Sequence, residues 1–183
     1  MKSFSHANRG TEFEQTVAAC LDQIPDEIGV FLRDSPAFKP LKFLPGGKVI
    51  GFFTGRGGLD FYGTWRGRFI GFDAKSTRIP TRLPLSMLHP HQVEVVRKAA
   101  CTGALAFFLI EFAEARPRPR CFLLTWDVLA PYWRRHLRGE KGGASIPFDA
   151  ITAGCIEARP YGIGFYDLAA AFDAVARKVL KDA

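Results

Sequence analysis

Apolar side chains at Phe13, Val17, Leu21 and Ile24 recur every three or four residues, which predicts an amphipathic helix over 11–24, closed by Pro25. The pattern then shortens. Residues 28–33 read as a strand, as do 59–65 (LDFYGTW) and 68–76 (RFIGFDAKS), the last two separated only by Arg66 and Gly67. A two-residue gap containing Gly predicts a tight antiparallel hairpin. The run ALAFFLIEF (104–112) is almost wholly apolar and predicts a central strand covered on both faces, followed by a strand at 121–126. Helices are predicted over about 90–102, 127–138 and 165–182, with a Pro-rich loop at 79–84 and irregular chain over 139–165.

Residues 35–58 break both periodicities. Prolines, glycines and the cations Lys39, Lys42, Lys48 and Arg56 interrupt them, so this stretch reads as a basic excursion with a hairpin around Pro45-Gly46-Gly47. The order of helix, strand meander, helix, strands and helices predicts an α/β sandwich around a mixed sheet, in a single domain spanning 1–183.

Composition narrows the class. At 183 residues and 48% hydrophobic content the chain supports one core, and no apolar run reaches the length of a membrane span. Residues 1–6 have no apolar h-region, so no secretory signal is expected. Cys20, Cys101, Cys121 and Cys155 are scattered without C-x-x-C spacing, which suits reduced thiols and a cytoplasmic protein. The net charge of +7 tilts the partner toward a polyanion.

The charges inside the predicted hairpin change the picture most. On a strand, Asp73 and Lys75 point to one face while Ile70, Phe72 and Ala74 take the other. The hairpin brings Asp60, on the preceding strand, to the face of Asp73. Two carboxylates near apolar neighbours are costly unless balanced, and a divalent cation balances them; Mg²⁺ prefers one or two carboxylates completed by water and phosphate. Lys75 beside them is suited to offset charge on a transition state. The competing reading is a structural salt bridge to Lys75. On the first helix Glu14 borders the buried stripe and Glu12 a polar face, so Glu14 is the better candidate to face the sheet. Its competitor is a capping box over 11–14, with Glu14 tying the helix start.

Together, D-x-K, a second Asp on the neighbouring strand and an acidic helix look like the PD-D/E-x-K nuclease arrangement. NRGTEFE (8–14), GLDFYGTWRGRFIGFDAKST (58–77), LHPHQVEVV (88–96), ALAFFLIEF and SIPFDA (145–150) occur in the order found in RecU-type Holliday junction resolvases, and the chain resembles that family from Asn8 to its final helix. The resemblance implies a restriction-endonuclease-like fold and a Mg²⁺-dependent homodimer, with Mn²⁺ able to substitute, that nicks opposed strands of a four-way DNA junction. It implies Asp60, Asp73, Gln92 and Glu14 as the metal-holding group, Lys75 as the transition-state cation, and Arg9 as a substrate-side arginine. It places a junction-entering stalk at 36–56, with Lys39, Lys42, Lys48 and Arg56 on DNA; Arg66, Arg68 and Arg78 extend the expected DNA contacts. Asp73 stands where the family usually has Glu, and Gly58 where it commonly has Thr.

His89 and His91 flank Pro90 without ligands at metal spacing, which favours helix entry. Arg116, Arg118 and Arg120 sit at a hairpin tip, open between a solubilising loop and a DNA backbone contact. Phe38, Phe43, Phe52 and Phe53 suit either a wedge at a DNA branch point or a dimer contact. The expected function is Mg²⁺-dependent resolution of branched DNA, with recombination proteins as possible partners. The alternatives are a nickase of the same fold acting on flaps or duplex, and a non-catalytic junction-binding protein.

Overall fold

The apolar stripe near the start forms as expected in the computed structural model, where Phe13, Val17 and Leu21 are buried along one face of α1 (His6–Leu21). The structure describes residues 6–34, 37–45, 48–54 and 58–181, apart from the side chains of 6–11, 37–38, 51–54 and 181. The helix starts at His6, earlier than the expected residue 11. Thr11 is thus an interior position and the capping-box reading of 11–14 fails, because a cap must precede the helix.

β1 (Gly29–Arg33) runs along the sheet edge, and β2 (Ala37–Phe43) pairs antiparallel with β3 (Val49–Thr54) in a separate two-stranded sheet. That hairpin occupies the expected excursion. β4 (Phe61–Trp65) and β5 (Arg68–Thr77) then form the predicted antiparallel pair. Arg66 and Gly67 both take positive φ, 47° and 76°, the conformation that matches a two-residue turn to the twist of its strands. Gly63 is obligatory in β4, since a Cβ there would lie 1.9 Å from the Val30 carbonyl oxygen.

β6 (Arg82–Pro84), a 3₁₀ turn at Leu85–Met87 and α2 (Pro90–Cys101) carry the chain across to β7 (Leu105–Phe112), which lies parallel to β5. A parallel neighbour requires such a crossover. β8 (Arg120–Thr125) returns antiparallel and leads into α3 (Trp126–Leu137). The stretch 139–165, expected to be irregular, holds β9 (Ser145–Pro147), α4 (Phe148–Gly154), β10 (Ile156–Ala158), β11 (Pro160–Tyr161) and the start of β12 (Phe165–Tyr166). The loop at 79–84 likewise contains β6, which pairs with β9. Strands of two or three residues are too short to show a periodicity. The last helix, α5 (Leu168–Lys181), starts after 165 because Phe165 and Tyr166 pair with β11.

The main sheet has the order β1-β4-β5-β7-β8-β10, with β5 and β7 parallel and the other neighbours antiparallel. α1 and α5 cover one face over Phe61, Trp65, Ile70, Phe72, Phe107 and Leu123. α2, α3 and α4 cover the other over Phe108, Ile110, Phe122 and Leu124. This is a mixed six-stranded sheet flanked by five helices, consistent with the restriction-endonuclease-like sandwich.

Candidate active site

A notch in the sheet positions the acids. The last pair between β4 and β5 is Phe61 with Phe72, while β5 continues to Thr77 with β7 as its partner. At the open edge, Asp60 immediately precedes β4, and its Oδ2 accepts the Ala74 backbone N–H at 2.9 Å. A carboxylate thereby takes the hydrogen-bonding place of the missing strand neighbour, beside Asp73. Asp60 is thus a residue before the strand, where the sequence pattern put it inside. Asp34 secures that corner: its N–H donates to the Asp60 carbonyl at 3.0 Å and its Oδ2 accepts the Gly58 N–H at 2.6 Å. The two ends of the excursion are tied together beneath Asp60.

Asp73 is fully buried on the α2 face of the sheet. The Lys75 ammonium meets its Oδ1, and the Gln92 side-chain amide on α2 donates to its Oδ2. The salt bridge considered from sequence therefore exists, within the acid pair and not instead of it. Burial pushes the Asp73 carboxyl up to about 7; Lys75 opposes the rise, while the Asp60 charge adds to it. Gln92 Oε1 is a buried acceptor with no hydrogen-bond partner among the described residues. Two aspartate carboxylates and an orphaned amide oxygen form the hard-oxygen donor set that a divalent cation takes. Among the described residues no three His, Cys, Asp or Glu side chains gather closely enough to hold a metal ion by themselves.

Glu14, on α1, is three-tenths exposed and pairs with Nη2 of Arg33 at 3.4 Å. Partial burial and then the Asp60 charge raise its pKa, while Arg33 and Lys75 lower it. Glu14 shares the electrostatic field of the sheet acids from across the notch. Arg33, at the end of β1 and stacked 5.4 Å from the centre of the Phe61 ring, is a member of this group that the sequence reading missed. No local pattern distinguishes it from any cation ending a strand.

Below the notch opens a groove of about 830 Å³ lined by Glu14, Lys75, Arg78, His89, Glu111 and Glu114, among others. Glu111 was also missed. It accepts hydrogen bonds from Ser76 Oγ at 2.7 Å and Tyr166 Oη at 2.8 Å, linking β5, β7 and β12. Its only sequence signal is a lone acid in an apolar strand. His89 and His91 stack at 5.6 Å around Pro90, the first residue of α2, in keeping with helix entry.

The expected DNA contacts separate. Arg78 stands on the groove rim, 3.8 Å from Glu114. Lys39, Lys42 and Lys48 are exposed on the β2–β3 hairpin, as is Phe43. Arg66 and Arg68 stand at the far end of β5 from Thr77, and Arg66 is occupied by two hydrogen bonds to Asp173 at 2.8 and 3.1 Å. The hairpin turn thus sets Arg66 roughly 20 Å from Asp73, at about 3.3 Å per residue along the strand. The side chains of Arg9, Phe38, Phe52 and Phe53, and all of Arg56, lie outside the described residues.

The sequence matches the family model RecU, described as Recombination protein U, over residues 8–169. A protein named Holliday junction resolvase RecU from Streptococcus gordonii is 28% identical over 156 residues, covering 79% of this chain and 72% of that relative. One of the same name from Streptococcus mutans serotype c is 27% identical over 161 residues, covering 82% and 76%. Another, from Lactiplantibacillus plantarum, is 36% identical over 92 residues, covering 50% of this chain and 42% of the relative.

Proposed function

The chain belongs to the RecU family of recombination proteins, and from that premise we propose that it is a Mg²⁺-dependent DNA endonuclease that resolves four-way junctions by paired nicks. The observation that carries the chemistry is the convergence of Asp60, just ahead of β4, and Asp73, on β5, on the notch that also holds Lys75 and Gln92. Asp60, Asp73 and the Gln92 amide oxygen, with Glu14 alongside, would hold the cation; Mn²⁺ meets the same oxygen preference. When bound, the cation neutralises charge on the scissile phosphate and lowers the pKa of the attacking water. Lys75, held beside the carboxylates, offsets negative charge as the 3′ oxygen departs. Asp73 orients that ammonium, Gln92 fixes the Asp73 rotamer, and the Asp60 hydrogen bond to Ala74 holds the strand edge still.

A homodimer would present two such notches to a two-fold junction, since isologous symmetry in the protein matches symmetry in the substrate. Val30, Leu32, Tyr62 and Phe69 support it: they are exposed on one face of β1, β4 and β5, a row that a second copy would cover. The exposed lysines of the β2–β3 hairpin suit the stalk role at the junction centre. We place the protein in the cytoplasm, with recombination proteins as partners; no helix among the described residues is long and apolar enough to cross a membrane.

The test is cleavage of a mobile four-way junction against linear and forked duplexes, with Mg²⁺ and with EDTA. Symmetric nicks in the junction alone, abolished in folded Asp60→Ala and Lys75→Ala variants that still bind it, are expected. Preference for the forked or linear substrate would make the protein a nickase of the same fold. No product with Mg²⁺, from protein that still binds the junction, would leave a junction-binding protein.

A further inference from the structure

Beyond the groove, one end of the sheet carries a row of arginines that the catalytic reading leaves unused. Thr77 at the end of β5 pairs with Phe112 at the end of β7, and Phe112 pairs with Arg120 at the start of β8. Cys121, the next residue of β8, pairs with Ala158 at the end of β10. Arg78, Arg116, Arg118 and Arg159 flank these positions and so emerge from one end of four adjacent strands. At about 4.8 Å between strands, the row spans about 14 Å.

Their environments divide the arginines by role. Arg120 is locked: Nε and Nη2 bind Glu157 at 2.7 and 2.6 Å, and the guanidinium sits 4.9 and 5.3 Å from the Phe122 and Phe148 ring centres. It is structural. Arg116 is 80% exposed and lies 3.7 Å from Glu114, the acid that Arg78 also approaches. Arg118 and Arg159 are exposed and touch Glu157 only through their fields. Five arginines face Glu114, Glu157 and Asp167, which lies beside Arg159, so this edge keeps an excess of positive charge. Pro117 and Pro119 alternate with the arginines, and their rings fix φ in the tip that presents them. Arg78 and Glu114 also line the groove, so the row begins at the candidate site and leads away from it.

We propose that Arg78, Arg116, Arg118 and Arg159 form a track for the sugar–phosphate backbone of a duplex arm, guiding one strand into the groove. The proposal rests on the endonuclease reading and adds the path of the substrate. Phosphates recur at regular intervals along one strand of a duplex, so a row of exposed arginines of this length meets successive phosphates. The contacts read no bases; they set register and orientation.

The decisive experiment measures equilibrium binding of the full chain to a synthetic four-way junction and to one of its linear arms, in EDTA, between about 50 and 200 mM KCl. Replacing Arg116 and Arg118 together by Ala alters only the exposed tip and is expected to leave the melting temperature unchanged. The slope of log affinity against log salt should become shallower by about 1.8, roughly 0.9 for each phosphate no longer neutralised. The double Lys variant should restore most of it. A double Ala variant with wild-type slope and affinity overturns the track, and so does a fall in affinity that Lys does not rescue, which marks a structural role. Parallel wild-type cleavage assays with Mg²⁺ keep the two readings apart. Cleavage with a tip-independent slope removes the track alone; a tip-dependent slope without cleavage removes the endonuclease alone; wild-type protein that binds neither DNA removes both.

Discussion

Gln92 on α2 and Asp73 on β5 are joined by a buried hydrogen bond from the glutamine amide to Asp73 Oδ2, which ties the crossover helix to the strand that carries the candidate chemistry. Replacing Gln92 by Ala removes a donor from a buried carboxyl, at a cost of about 1–3 kcal/mol in unfolding free energy. Chemical denaturation of the variant should show that loss, and Gln92→Glu should be worse still, since it sets a second carboxyl against Asp73.

Asp60 both holds the edge of β5 and faces Asp73, and substitution separates the two roles. Asn retains an oxygen able to accept the Ala74 N–H, so Asp60→Asn should melt close to wild type while losing nicking activity. Lys75→Met, which keeps the apolar stem, should lower the nicking rate by about 10²–10³-fold, the scale of removing one electrostatic stabiliser. Single-turnover cleavage of a four-way junction reads both.

The raised Asp73 pKa has a stability consequence in metal-free protein. The folded state holds this proton more tightly than the unfolded chain, so its contribution to stability is largest below about 4 and declines as pH rises toward about 7. Asp73→Asn should therefore gain melting temperature relative to wild type at pH 8 in EDTA, with the gain shrinking as pH falls to 4. Added Mg²⁺ should stabilise wild type at pH 8 and leave the Asn variant unmoved.

Glu111, on β7, is held by Tyr166 and by Ser76, the residue that follows Lys75 on β5. Ser76→Ala and Tyr166→Phe should each cost about 1 kcal/mol, and a double-mutant cycle should show coupling between them through Glu111. Independent, additive losses would mean that the carboxylate does not link the two.

Asp173 fastens the hairpin turn to α5, accepting from Trp65 Nε1 at 3.0 Å and from Arg66. The Arg66 hydrogen bond holds its carboxyl below the usual range, so this support is present above the ordinary carboxylate pKa and is lost as pH falls through the depressed value. Asp173→Ala should destabilise by about 1–2 kcal/mol at pH 7, lose that difference in strong acid, and leave DNA binding unchanged.

The sequence alone determined the elements with a sustained period and the chemistry written beside them. The stripe of α1, the Arg66-Gly67 hairpin, the apolar run of β7 and the D-x-K of β5 depend on neighbours a few residues away, where steric and burial rules act directly. The pairing of Asp60 with Asp73 followed from hairpin geometry for the same reason. Only the tertiary structure decided that β5 outruns β4, opening the notch that Asp60 fills, that Arg33 meets Glu14, and that Tyr166 meets Glu111. It also set Arg66 on Asp173 and Arg120 on Glu157, although neither arginine differs in kind from its neighbours along the chain. Ionic and hydrogen-bond partners are chosen by which strand ends and helix faces meet in space, and a one-dimensional pattern does not carry that distance.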